Sequence, residues 1–537
     1  MHACPQLCSA LIPGRCMPVP NLPCLDPGLM HACPQLRILP AAATRAERYR
    51  RLMADITQSQ DDELEDDLEQ GSKTVERIGL LAGPALAAAA YFSGPAMGLT
   101  ADATAVFALL ALMATWWVTM AVEPAVTGLV PFVALALLGI GKPAEIAAPY
   151  ANDVMFLFGG GALLAFGLEK TRVSSRFATA LVGFAGSSPL RVLTAVMLAS
   201  ALLSAFVSNL ATAATMLPLA IALGNRARAA ITSEDQRAAA GRFATSLLLG
   251  VAFASSIGGA LTIVGSPPNP IAVEWLTKNG IEMDFLRWMR FSVPTTLVFL
   301  PIAIAVLGVW LFPARGLVVP RSDVRAEPIN RDGVLTLGVF LLAVLAWVTL
   351  PLYGKSMPAV KDGTIAIACA GLLFLIPSVA RAGRGILDGA ALSKVPWRVL
   401  VLFGGGLCLA DAMQRSGLST ALGTIIQSAG TLPSIGVLIV LVAMMVFASE
   451  VASNTTLAAM AVPIVGALAP GLGVAPETLV IPAVFAASWA FALPVGTPPN
   501  ALVFASGRVR TRDMMRAGLV LDLVAIVVIV VMSRILL

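Results

Sequence analysis

Between residues 78 and 535 the chain returns again and again to apolar stretches of the length that crosses a ~30 Å hydrocarbon core as a helix. They run about 78–94, 103–120, 125–141, 152–168, 243–262, 291–312, 333–352, 363–379, 397–412, 477–494 and 514–535, eleven in all. Inside a bilayer every backbone N–H and C=O needs a partner within the protein, so such stretches fold as helices and an open sheet edge is excluded. Composition agrees. Some 58% of residues are hydrophobic and 12% charged, where a soluble chain carries about a quarter charged. The expected fold class is therefore an all-α polytopic membrane protein. Two further apolar pairs, 188–224 and 431–469, each fold around a polar knot, "FVSNLATAATMLP" (206–218) and "VASNTTLAAMAVP" (451–463). Each pair is expected to leave and return on the same side of the membrane.

Charge placement tests that arrangement, because cytoplasmic loops collect Lys and Arg. With the N-terminus cytoplasmic, the inner loops around 73–77, 170–191, 226–242, 315–331, 381–398 and 508–516 hold 22 basic residues. Eight fall outside: Lys142, Lys278, Arg287, Arg290, Lys355, Lys361, Arg415 and Arg534. Eleven crossings preserve this asymmetry and place the C-terminus outside the cytoplasm. The net charge of +5 is small, so a lipid bilayer rather than nucleic acid is the expected partner. The Arg-rich, Ala-rich composition points to a GC-rich bacterial genome and hence to an inner membrane.

Five of the seven cysteines (Cys4, Cys8, Cys16, Cys24, Cys33) and both histidines (His2, His31) crowd the first 33 residues, beside a direct repeat of "MHACPQL" at 1–7 and 30–36. Their spacing matches no zinc pattern, and prolines interrupt the segment. A disordered cytoplasmic leader over 1–76 is expected, its first 52 residues upstream of an alternative start at Met53. The acidic run "DDELEDDLEQ" (61–70) resembles the carboxylates of an intramembrane prenyl-transfer enzyme, but it precedes the first span and is followed by Lys73 and Arg77. A solvated acidic face is the better reading.

The two halves are related. "VMFLFGGGALLAFGLEKTRVSSRFA" (154–178) matches "VLVLFGGGLCLADAMQRSGLSTALG" (399–423), and the knots keep the same spacing of 245 residues. "VGSPPNP" (264–270) pairs with "VGTPPNA" (495–501) at 231, the difference being taken up by the basic loop 225–242. Each copy holds five crossings, so the second is inserted upside down. Inverted repeats with helices interrupted at mid-membrane are a mark of secondary transporters. The expected organisation is a first helix over 77–98, one repeat over 99–314 with hairpin 188–224, and a second over 333–537 with hairpin 431–469.

Ser, Thr and Asn favour helix N-caps, and a cap at each knot would aim the positive end of a helix dipole back at the knot. In the proline breaks, Asn269 and Asn500 are expected to cap the short helices that resume. No Lys, Arg or His lies in either knot or either break. An anionic substrate would then need helix N-termini, neutral donors and a bound cation. Carbonyl and Ser/Thr/Asn oxygens suit a hard monovalent ion such as Na⁺, and an Asn amide can face the cation with its oxygen while its NH₂ donates to a carboxylate. Cation binding would then be a precondition of anion binding. Taken singly, a Ser or Gly here is only a small residue that lets helices pack.

The stretch "SWAFALPVGTPPNALV" (488–503) resembles the sodium:sulfate/dicarboxylate symporter signature. The paired Ser-Asn motifs, "WWVTMAVEPAVTGLVPFVALALLGI" (116–140) and both glycine triplets likewise resemble the divalent anion:Na⁺ symporter family, over about 78–537. The resemblance implies a homodimer with a scaffold domain and an elevator-type transport domain, the knots being tips of two re-entrant hairpins. It implies a first Na⁺ site at Ser204, Ser208, Asn209 and the backbone near Gly265, and a second at Ser449, Asn454 and the backbone around Ala452 and Gly496. Substrate carboxylates would meet Asn209, Asn454, Thr455 and the Pro498 break. Ser449 stands where the family often has Thr, which keeps the hydroxyl. Leu210 departs from the pattern, since the first motif reads Ser-Asn-Leu and one hydroxyl donor to substrate is gone. Glu450 is also family-like, a carboxylate hydrogen-bonded within its hairpin or, alternatively, a proton-coupling group.

The implied activity is Na⁺-coupled symport of a di- or tricarboxylate into the cell, C4-dicarboxylates such as succinate, malate or fumarate foremost. No organic cofactor is expected. Some relatives exchange anions without Na⁺, using a basic side chain in its place, and none stands at the matching positions here. An exchanger or inorganic-anion permease is the rival within transport. An intramembrane enzyme is the rival outside it, but the membrane body has no histidine, and Cys369 and Cys408 have no evident catalytic partner.

Overall fold

The computed structural model describes residues 74–231, 233–320, 328–379, 383–428 and 434–537. The leader with its cysteines, histidines and acidic run, the loop residues Arg321, Arg325 and Arg381, and residues 431–433 of the second hairpin lie outside the described residues. Among the described residues the one β feature is an antiparallel bridge between Pro377 and Gly385.

Helices α1 (Thr74–Ser93), α2 (Ala101–Thr119) and α3 (Pro124–Leu138, interrupted at residues 128–129) open the body. Then follow α4 (Asp153–Lys170), α5 (Val173–Gly183), α6 (Pro189–Ser204), α7 (Asn209–Ala229), α8 (Glu234–Gly259), α9 (Pro268–Lys278) and α10 (Phe285–Ala305), the last continued by a π-helical turn to Leu311. After α11 (Arg331–Tyr353) and α12 (Asp362–Leu375) the same order recurs: α13 (Trp397–Arg415), α14 (Leu418–Ser428), α15 (Ser434–Ser449), α16 (Asn454–Leu468), α17 (Glu477–Ser488), α18 (Pro498–Ala505) and α19 (Thr511–Leu536). The internal repeat read from glycine triplets and proline breaks is thus visible as two matching runs of helices, α4–α10 and α13–α19.

Local chemistry explains the boundaries. Thr100 accepts from Ala103 N at 3.2 Å to start α2, and Asn152 accepts from Met155 N at 3.0 Å to start α4. Proline occupies the first turn of α6, α9 and α18, where its missing N–H would have no helical partner anyway. Among the described residues seven helical segments are long and apolar enough to cross a membrane, and α3, α6, α12, α15, α16 and α17 are shorter apolar helices. The expected span 477–494 stops at Ser488, and residues 489–497 run outside helical geometry up to the next helix at Pro498.

Each apolar pair is a helical hairpin. α6 and α7 pack on α8, and α15 and α16 pack on α17. The helices that resume after the breaks cross over: α9 packs on α16 and α18 packs on α7. Every knot therefore has the other repeat's short helix beside the arm it opens. An aromatic cluster holds this centre, with Phe299 stacked on Trp489 at 4.5 Å, Phe253 against Phe491 at 5.2 Å, and Trp288 stacked on Phe485 at 5.8 Å.

Candidate functional site

At the first knot α6 ends in Ser204 and the chain turns within four residues to begin α7 at Asn209. Ser208 is the N-cap, its hydroxyl accepting from Ala211 N at 3.3 Å. Asn209 is the first helical residue, and its amide turns inward. Ser204 Oγ lies 2.7 Å from Asn209 Oδ1. The same end of that amide lies 3.2 Å from the carbonyl oxygens of both Gly265 and Ser255. With its nitrogen inward, the amide meets the carbonyl oxygens of Gly265 and Ser255 and the Ser204 hydroxyl as a donor, and every group has a partner.

Glycine makes this convergence possible. A Cβ on Gly265 would sit 2.6 Å from Gly259 O and 2.8 Å from the carbonyl oxygens of Ser204 and Ala205. A Cβ on Gly259 would meet the Asn209 amide, 2.9 Å from its Cγ and Nδ2. The hairpin tip is further tied to the break by the Thr262 hydroxyl, which donates to Ala205 O.

The second knot repeats the geometry. Ser449 Oγ lies 2.8 Å from Asn454 Oδ1 and 2.6 Å from Ala487 O. The hydroxyl thus stands between the Asn454 amide and the Ala487 carbonyl, to which it donates. Ser449 is fully buried, Ala452, Asn454 and Thr455 are half-buried, and Gly496 lies in the adjoining break. Here Ser453 occupies the N-cap position of α16 but makes no side-chain capping bond, so the expected cap is absent at this knot.

The asparagines of the two breaks do not cap the helices that follow, contrary to expectation. They reach back instead. Asn269 Nδ2 donates to Gly259 O at 2.9 Å and Thr262 O at 2.7 Å. Asn500 Nδ2 donates to the matching carbonyls, Ala490 O at 3.3 Å and Leu493 O at 3.1 Å. The carbonyls freed where α8 and α17 end need donors more than the new helix needs a cap: prolines in its first turn have already removed orphan N–H groups. Thr497 caps α18, accepting from Asn500 N at 3.3 Å. The same hydroxyl lies 3.5 Å from Ser256 Oγ, which joins the end of α8, beside the first knot, to the break of the second repeat.

Around these oxygens the surface is mixed. Ser208, Leu210, Ser453 and Pro498 are exposed, and Leu210 keeps 47% of its surface accessible. The sequence reading did not anticipate the carbonyls of Ser255 and Ala487, which no side chain announces. It also passed over Asp522, although a lone acid within "LVLDLVAIVVIVVM" was a visible signal.

The family described as the sodium:sulfate symporter transmembrane region matches residues 77–536. A sodium-dependent dicarboxylate transporter SdcS of Staphylococcus saprophyticus is 33% identical over 473 residues, covering 84% of this chain and 90% of the relative. The protein of the same description from Staphylococcus aureus (strain MRSA252) is 34% identical over 469 residues, covering 85% and 90%. Among solved structures, the Alcanivorax borkumensis YdaH transporter is similar with a TM-score of 0.49 and 17% identity, over 75% of this chain and 88% of that one.

Proposed function

Because the chain belongs to the sodium:sulfate symporter family, a family of membrane transporters and not of enzymes, we propose that it carries a C4-dicarboxylate into the cell by symport with Na⁺. The observation that carries this reading is the convergence, at each knot, of a serine hydroxyl, an asparagine amide and backbone carbonyl oxygen with no basic side chain in the knot. A hard monovalent ion suits neutral carbonyl, amide and hydroxyl oxygens. The first set is Ser204, Asn209 and the carbonyls of Ser255 and Gly265, with Ser208 closing the tip. The second is Ser449, Asn454 and Ala487 O, with Ala452 and Gly496 alongside. Relatives named as sodium-dependent dicarboxylate transporters support the same choice of ion and cargo.

Coupling then follows from the Asn209 amide. With Na⁺ present its oxygen turns inward and its NH₂ faces the half-exposed side, where it donates to a substrate carboxylate. Without Na⁺ the nitrogen turns inward, and the outer end becomes an oxygen that repels an anion. Asn454 acts likewise on the second carboxylate, helped by Thr455 and by the helix start at Pro498. No basic side chain is needed, because the cations and helix N-termini supply the positive potential. The scaffold and elevator-type transport domain, the homodimer, the re-entrant hairpins, the repeat boundaries 99–314 and 333–537, and an inner-membrane placement with a cytoplasmic N-terminus complete the proposal. The crossed packing of α9 on α16 and α18 on α7 supports a single unit carrying both knots.

Leu210 bears on the cargo. It follows Asn209 and is exposed, where a hydroxyl would donate to the carboxylate. A hydrogen bond to a charged group is worth about 1.5–3 kcal/mol. Leu210→Thr should therefore tighten succinate binding by about 10- to 100-fold. A thermal-shift panel of mono-, di- and tricarboxylates and sulfate, with NaCl or choline chloride, tests both reading and residue. C4-dicarboxylates should stabilise the protein only with Na⁺. An unchanged Leu210→Thr profile removes Leu210 from recognition, and stabilisation by the same anions in choline removes the symport reading.

A further inference from the structure

The chain enters the segment that carries the first knot at residues 184–188, before α6, and leaves it at residues 312–320, after α10. The two connections lie together. Val319 N donates to Ser187 O at 3.0 Å, and Arg242 of α8 donates from Nε to Pro313 O at 2.7 Å. Each connection turns through a glycine in the left-handed region, Gly186 at φ +71° and Gly316 at φ +74°. Between them opens a cavity of about 460 Å³, within the ~300–1,000 Å³ usual for small-molecule sites.

Leu190, Leu193, Phe243, Val309 and Phe312 give the cavity an apolar wall, and Ser187, Ser188 and Arg315 give it polar groups. The π-helical turn that ends α10 shapes that wall: a Cβ on Gly308 would lie 2.8 Å from the Leu190 and Leu193 side chains. Such turns are frequent at functional sites. Arg191 reaches over the entry connection, its Cζ lying 3.9 Å from where a Cβ on Gly186 would stand. Ser188 heads α6 without a side-chain capping bond, so the hydroxyl and the first-turn amides there favour an anion. No acidic side chain lines the cavity, and among the described residues no carboxylate pairs with Arg191, Arg242 or Arg315. Trp310, 64% exposed on the same turn, is of the type that collects at headgroup level in a bilayer.

We propose that this cavity holds a phospholipid of the bilayer with a negatively charged headgroup. Its phosphate meets Arg191, Arg315 and the start of α6, and one acyl chain lies along the apolar wall. Basic pockets between membrane helices take anionic headgroups in this way, and the guanidinium fork matches phosphate oxygens. A dicarboxylate or inorganic phosphate would leave the apolar wall unfilled. A zwitterionic lipid would bring its own cation against the arginines. None of the lining residues belongs to either knot, so the site goes beyond the transport reading and needs only that the chain sits in a membrane. Because both connections line it, the lipid bridges the entry to and the exit from the segment that carries the first knot.

The test is thermal stability of the full-length protein in detergent, in choline chloride at constant ionic strength. The protein is titrated with dioleoyl phosphatidylglycerol, dioleoyl phosphatidylcholine or glycerol 3-phosphate. Phosphatidylglycerol should raise the melting temperature saturably, phosphatidylcholine far less, and glycerol 3-phosphate not at all. Arg191→Gln with Arg315→Gln should raise the half-maximal phosphatidylglycerol concentration about thirtyfold. Both side chains are exposed, so the pair can be changed without disturbing the core. Ala314→Trp, which fills the cavity and keeps the arginines, should remove the phosphatidylglycerol shift; should it fail to fold, the arginine pair decides. Equal shifts with the two lipids, a double variant with the wild-type midpoint, or a folded Ala314→Trp that responds like wild type each overturn the proposal. So does a shift with glycerol 3-phosphate equal to that with phosphatidylglycerol, which would make the ligand a small anion. No arm contains Na⁺ or a dicarboxylate, so failure of the transport reading would leave this result standing.

Discussion

Asn209→Asp should abolish anion binding while Na⁺ still stabilises the protein. The substitution keeps an oxygen for the first cation set, where Ser204 Oγ lies 2.7 Å away and the carbonyls of Ser255 and Gly265 lie 3.2 Å away. It removes the NH₂ that the substrate carboxylate needs and replaces it with a second oxygen. Losing a hydrogen bond to a charged group costs about 1.5–3 kcal/mol. Facing a carboxylate with a like charge at ~4 Å adds up to about 4 kcal/mol at the effective dielectric of a protein surface. Together these predict a loss of succinate affinity of about a thousandfold. Calorimetry with succinate in saturating NaCl checks the loss, and a Na⁺ thermal shift on the same sample checks the retained cation site. Wild-type succinate affinity in the variant would mean that the amide does not face the substrate.

Gly265→Ala should remove the Na⁺ response through geometry alone. The new Cβ would lie 2.6 Å from Gly259 O and 2.8 Å from the carbonyl oxygens of Ser204 and Ala205. All three neighbours are backbone, so no side chain can swing aside. The hairpin tip has to move off the break, and Ser204, Asn209 and Gly265 O can no longer share one cation. Overpacking of this kind costs about 1–3 kcal/mol of stability, but the larger effect falls on function, because cation sites tolerate little displacement. Na⁺-driven uptake should drop to background while the protein still expresses and melts cooperatively. Uptake at more than half the wild-type rate would show that the first cation does not sit where these oxygens meet.

Much of this arrangement was legible before any coordinates, because bilayer physics narrows the choices so far. Once apolar stretches must be helices, the glycine triplets, knots and proline breaks recur at fixed spacing, and the matching order of α4–α10 and α13–α19 follows. The side chains that meet at the knots were legible for the same reason: Ser204, Asn209, Ser449 and Asn454 are polar where nothing polar is needed for packing. Less legible were the features that depend on backbone direction. The carbonyls of Ser255 and Ala487 belong to residues whose names say nothing about where their oxygens point. Asn269 and Asn500 look like caps by position, yet they donate to carbonyls ten residues back. Whether a carbonyl is orphaned depends on where the preceding helix stops, and α17 ends at Ser488, inside a run that reads as continuous. The partnership of Glu450 with Asp522 joins residues 72 positions apart in sequence through the amides of a third segment, and no local pattern announces such a pairing.

The central claim is that negatively charged cargo is held by cations at the two knots rather than by basic side chains. Uptake of radiolabelled succinate into proteoliposomes, driven by an inward gradient of NaCl or of choline chloride at matched membrane potential, tests it most directly. Accumulation with NaCl and background counts with choline chloride are the predicted result; equal accumulation in both would contradict it.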